Sequence, residues 1–314
     1  MLYLTTRDNK NAHTAHKTLC TDYALDGGMF VPYKLPKLDD AQLNDTVCGS
    51  FGDVIARILN LFFSVRLSGW GVDLQIGRNP VSLVSMNRKI VVAELWKNPG
   101  AGIDHLIESL YNCVAVNEGH SEKPTIWART AIRIAILFGL YAQISGDVEE
   151  NPAIDISVNM QDITELTAAY YARAMGLPIG KIICCCDAGD SFWDLLHAGG
   201  FNTRNTQSPQ LKAAEVLACE SLGHIQSQYL ASVADRRGTY TLSEEDFAIL
   251  SQDIYPVAIS SDRVDSVISS VRRSSGYSID PTAAIAYGGL QDYRAQTGES
   301  CVTLILSQYT PDNV

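Results

Sequence analysis

Basic charge is scarce in this chain. Lys and Arg number 24 against 35 Asp and Glu, a net charge of -11. A surface of that sign repels phosphate backbones, which excludes nucleic acid as an expected partner. Long hydrophobic runs are also missing. The greasiest stretches, residues 54–65 and 130–144, are each broken by Arg. Neither reaches the ~18 apolar residues of a membrane span, so no membrane role is expected. The opening MLYLTTRDNKNAH has no apolar core of a signal peptide. No CxxC pair, HExxH, GxSxG, GxGxxG or Walker motif occurs. There is no internal repeat and no low-complexity tract. The expected compartment is the cytoplasm.

What is present points to a packed globular protein. Apolar residues make up 46% of 314 and charged residues 19%, enough for a sizeable core and too little polarity for disorder. The length suggests two domains. The eight Cys do not form a small disulfide scaffold. Three of them, Cys184, Cys185 and Cys186, are consecutive. In a strand, alternation sends Cys185 to the face opposite its neighbours, as expected of small apolar residues in a buried strand. The six His are scattered, and no metal site is expected.

Periodicity predicts helices over 51–67, 103–112, 127–144, 164–175, 191–197, 209–231, 244–250, 261–274 and 283–297. It predicts strands over 89–93, 154–158, 181–186 and 301–306. Alternating strands and helices, with strands rich in Ile, Val and Cys, predict an α/β fold. Its mostly parallel sheet is covered by helices on both faces. Asp187-Ala-Gly-Asp190 follows a strand and reads as a loop with a helix cap.

Several ordered segments resemble threonine synthase. They are LYLTTRD at residues 2–8, DGGMFVP at 26–32 and WAR at 127–129. Further on come ISV at 156–158, AYYARAMGLPI at 169–179, GYSIDP at 276–281 and YRAQTGE at 293–299. The resemblance implies a tryptophan-synthase-β-like fold, pyridoxal phosphate (PLP) fold type II. In that family a lysine carries PLP as a Schiff base. The enzymes eliminate phosphate from O-phosphohomoserine and add water to give threonine. It also implies an amino-terminal domain over 1–100 and a large domain over 101–314.

The family's residues can be sought one by one. Its lysine motif reads Glu-Leu-Phe-His-Gly-Pro-Thr-x-Ala-Phe-Lys-Asp, and the stretch here is AELWKNPGAGIDH. Ile103 stands before Asp104 in the lysine's place and cannot form an imine. Lys97 is the nearby amine, displaced by several residues and expected to be a solvated loop residue. The family's phosphate loop, Pro-Thr-Gly-Asn-Phe-Gly, is Asn159 to Thr164 here. Gln161 and Thr164 replace both glycines. Asp162 and Glu165 suit the first turn of a helix but would repel a phosphate dianion. The family's Asp-Pro-His-Thr is Asp280-Pro281-Thr282-Ala283, without the imidazole. Gln308, or Ser307 after a one-residue slip, is the remaining partner for a pyridine nitrogen.

Length adds a further mismatch. Only residues 104–126 separate the two markers that flank the family's mobile small domain. Its Ser-Gly-Asp-Thr-Gly loop is absent; Ser145-Gly146-Asp147 comes after the helix and reads as a surface turn. The small domain is therefore expected to be largely deleted. No PLP is expected. The expectation is a threonine synthase-like pseudoenzyme with a binding, regulatory or scaffolding role, as a homodimer or with a partner enzyme. The alternative is a threonine synthase-type lyase holding PLP on Lys97. Loss of the lid predicts repacking or oligomerisation at the uncovered sheet end.

Overall fold

The computed structural model describes residues 1–97, 102–116, 118–146, 152–186, 190–204 and 208–311. A six-stranded sheet is its frame. In spatial order the strands are Ile254–Ala258, Ile179–Cys186, Ile154–Asn159, Thr303–Ser307, Ile90–Glu94 and Ser82–Asn87. The first five run parallel. Ser82–Asn87 pairs antiparallel with Ile90–Glu94 at one edge. The mostly parallel α/β architecture expected from the alternation is present. Two strands from within residues 1–100 are part of this sheet.

The triple cysteine shows how the sheet is buried. Cys184 and Cys186 pack into the core on one face, while Cys185 packs into that on the other. The first face carries helices Ile103–Val114, Ile126–Ser145, Ile163–Ala174 and Ser208–Leu222. The second carries Ser261–Ser275 and Pro281–Thr297. Small residues bring the second layer close: a Cβ on Gly289 would collide with Cys185 Sγ.

Ile126–Ser145 is nearly all buried, as expected of a helix apolar on every side. Thr125 caps it by accepting from Ala128 N at 3.3 Å. None of the described helices is long and apolar enough to cross a membrane.

Some boundaries differ from the periodicity. The helix predicted to reach residue 67 stops at Phe62, where Phe63 turns extended. The Asn60 side chain then holds Leu67 through both its N–H and its carbonyl. The predicted 209–231 helix is two, Ser208–Leu222 and His224–Asp235, broken at Gly223 with φ of +95°. Ile254–Ala258, which contains Pro256, is a strand that the periodicity does not predict. An edge strand accommodates Pro, and this one lies at the edge.

The amino-terminal strands His13–Thr14, Leu2–Thr5 and Phe30–Pro32 form a small antiparallel sheet. They are tied to the main body by buried charge. Glu215, fully buried, accepts from Arg7 at 2.8 Å, Thr6 at 3.0 Å and Lys212 at 3.2 Å.

Candidate functional site

Parallel strands end together, so the loops after them converge on one edge of the sheet. Sheet order reverses between Ile154–Asn159 and Thr303–Ser307. Ligands of open α/β sheets bind outside the carboxyl ends at such a switch point. Here that place is filled by the chain's own charged side chains.

Asp162 is the N-cap of helix Ile163–Ala174, accepting from Thr164 N at 2.9 Å and Thr164 Oγ at 2.7 Å. Its other oxygen accepts from Arg133 Nη2 at 2.5 Å. The same nitrogen donates to Gln308 Oε1 at 3.1 Å. Gln308 Nε2 then donates to Glu165 Oε2 at 2.5 Å. Arg129 joins at the rim, bonded to Asp104 at 2.8 Å and 3.9 Å from Asp162.

Asp162 and Glu165 sit in opposed electrostatic states. Burial pushes Asp162 up, but Arg133, the bonds from Thr164 and Arg129 outweigh it and hold it below the usual carboxylate range. Burial pushes Glu165 up to about 8, with Arg133 opposing. From the sequence Glu165 suits the first turn of a helix, and there it lies. The fold also buries it beneath Gln308.

Arg133 was not singled out from the sequence as a site residue. The available signal was a lone Arg interrupting the apolar 130–144 run. Its side chain is 2% exposed, and its Nε and Nη1 are buried without a hydrogen-bond partner among the described residues. An anion approaching the first turn of Ile163–Ala174 must compete with Asp162 for this guanidinium.

Ile103 is 1% exposed and packs into the main core. Its N–H donates to Gln308 O at 2.9 Å, which staples the start of helix Ile103–Val114 across the sheet end. Gly102 makes the approach possible. Its φ is +106°, and a Cβ there would lie 2.8 Å from the Tyr309 ring. This turn thus packs against the end of the Thr303–Ser307 strand. Residues 98–101, including Gly100 and Ala101 of the same loop, lie outside the described residues.

Lys97 is half-exposed and committed to other partners. It pairs with Glu94 at 2.7 Å and donates to Ser82 Oγ at 3.2 Å. Ser307 donates to Asp280 at 2.5 Å and accepts from Trp96 Nε1 at 3.1 Å. Both residues expected opposite a ring nitrogen, Gln308 and Ser307, therefore have protein partners.

Gln161, replacing a loop glycine, is exposed, with its N–H on Asn159 Oδ1 at 3.0 Å. Thr164 is buried and satisfied by Asp162. Asp190 caps helix Ser191–Ala198 as expected, accepting from Phe192 N at 2.8 Å. Asp187, Ala188 and Gly189 lie outside the described residues, as does Asp147 of the expected surface turn.

Between Ile103 and Ile126 the described residues form one helix, Ile103–Val114, and a connecting stretch. Tyr111 secures that connection by donating to Ser121 O at 2.9 Å.

Comparison with known proteins shows what the chain is similar to. Residues 2–69 match the family model described as the threonine synthase N terminus. Threonine synthase of Buchnera aphidicola subsp. Schizaphis graminum is 26% identical over 165 residues, covering 52% of this chain and 34% of that protein. Threonine synthase-like 1 of Homo sapiens is 23% identical over 174 residues, covering 51% of this chain and 23% of that protein. The matched stretches thus span about a third or less of these relatives. PLP-bound threonine synthase from Brucella melitensis superposes with a TM-score of 0.81 at 17% identity, over 99% of this chain and 89% of that one. Threonine synthase from yeast gives 0.79 at 15% identity, over 99% and 87%.

Proposed function

The chain is a distant member of the threonine synthase family, and on that premise we propose that it keeps the fold without the PLP chemistry. Its role on this reading is binding, regulatory or scaffolding. The observation that carries the reading is Ile103. A buried aliphatic residue holds the place of the family's lysine, and no imine can form on it.

The surroundings support the same reading. The loop that would cradle a phosphate holds Asp162 at the helix N-cap, where an anion's favourable position is already taken. The guanidinium that faces the loop is neutralised from within. Gln308 and Ser307 are spent on Glu165 and Asp280. The residues present do not fit PLP. The single helix between Ile103 and the 126–145 helix supports loss of the closing subdomain. Without such a lid, water would reach any reacting centre. A homodimer or a complex with a partner enzyme belongs to this reading.

The test is titration of the full chain with PLP, followed by borohydride reduction and peptide mass spectrometry. The expected result is no stoichiometric visible band and no reduced adduct at a defined lysine. A saturable band that disappears in Lys97→Ala, together with phosphate release from O-phosphohomoserine, would overturn the proposal. Threonine synthase-type lyase chemistry on Lys97 would take its place.

A further inference from the structure

A second feature lies beside the filled switch point. Strands Ile154–Asn159, Ile179–Cys186 and Ile254–Ala258 end on one edge. Just beyond it is a cavity of about 380 Å³. That is within the range of small-molecule sites, at its lower end. Helices Ser261–Ser275 and Pro281–Thr297 wall it through Val264 and Ile285, and Ile259 adds to an apolar floor. Of the site residues described above, Asn159, Gln161 and Asp190 reach it.

Its polar lining is three carboxamides, Asn159, Gln161 and Gln210, and charged groups of one sign. Asp190 and Asp265 line it, and no Lys, Arg or His does among the described residues. Gln210 is oriented by Asp190, its Nε2 donating to Asp190 Oδ2 at 3.3 Å. That turns Gln210 Oε1 away as a buried acceptor without a partner among the described residues. Asp265 is exposed and forms no ion pair among the described residues. A buried acceptor left unpaired is costly, so the cavity favours a ligand that donates. Two carboxylates and no cation select positive charge and repel an anion.

We infer that this cavity binds a small aliphatic amine in its ammonium form. The ammonium supplies three donors for the Gln210 carbonyl and the two carboxylates, and the alkyl stem lies on the apolar floor. The inference names a ligand class for the binding role proposed above and rests on that reading.

The test is calorimetric titration of the full chain at neutral pH and constant ionic strength. The probes are n-butylamine, n-butanol, butyrate, and magnesium and calcium chloride. The expected order is n-butylamine at least tenfold tighter than n-butanol, with no binding of butyrate. Asp265→Asn, an exposed change, and Gln210→Leu should each weaken n-butylamine at least threefold while circular dichroism and Tm stay unchanged. Equal binding of n-butanol overturns the inference, as does binding of the divalent cations alone. Absence of any binding, or n-butylamine binding indifferent to both substitutions, does the same. The two proposals fail separately. A PLP adduct on a lysine sinks the pseudoenzyme reading, whereas a chain free of adduct that ignores n-butylamine sinks only the ligand class.

Discussion

At the residue scale, Arg133 and Glu165 show how a buried charge cluster depends on every member. Replacing Arg133 by Met leaves Asp162 without its 2.5 Å partner and Gln308 Oε1 without its donor. The expected cost is about 3 kcal/mol, read as a lower urea midpoint at unchanged slope. Glu165 predicts a pH signature. Its carboxyl is raised from an ordinary 4.5 to about 8 in the folded protein. Between those values the folded state holds a proton that the unfolded chain has released. Its contribution therefore lowers stability as pH rises through that window. Asp162, shifted down, acts in the opposite sense and only toward acid pH. Glu165→Gln should flatten the fall in unfolding free energy between pH 5 and pH 8. A variant with the wild-type slope would show that Glu165 titrates normally. The sequence placed Asp162 correctly as a cap, because capping is local. It could not show Glu165 buried, because burial needs Gln308, which lies 143 positions away.

At the element scale, helix starts and close crossings are the sensitive points. Asp280 caps Pro281–Thr297, accepting from Thr282 N at 3.0 Å and Ala283 N at 3.2 Å while also holding Ser307. Asp280→Ala should cost about 2 kcal/mol, at the upper end for a cap, because Ser307 loses its acceptor as well. Where the Phe51–Phe62 and Ile126–Ser145 helices meet, a Cβ on Gly139 would lie 2.6 Å from the Phe51 ring. Gly139→Ala should therefore destabilise by about 1–3 kcal/mol through overpacking, despite the better helix propensity of Ala. A gain in Tm for that variant would show that the crossing yields. Long periodic elements such as 126–145 were legible because their pattern repeats over many residues. The Ile254–Ala258 strand was not, since Pro256 argues against a strand until its edge position is known.

At the scale of the whole molecule, buried ion pairs join distant parts of the chain. Glu215 receives Arg7, Thr6 and Lys212, so the amino-terminal segment is held by a helix more than 200 residues away. Glu215→Ala would strand two cations in a water-poor site. An expected loss of about 3–5 kcal/mol should appear in one cooperative thermal transition shared by all probes. Separate transitions for the amino-terminal segment and the sheet would show that the two fold independently.

The sequence by itself determined the class of fold, the resemblance to threonine synthase and the absence of an amine at position 103. Those rest on side-chain identity, local periodicity and segment order, all of which are written along the chain. The tertiary structure decided what fills the switch point of the sheet. Helix Ile126–Ser145 brings Arg133 against a loop 29 residues further on, and the closing strand brings Gln308 over Glu165. Contacts at that separation follow from how the sheet orders its strands, and no local pattern encodes that order.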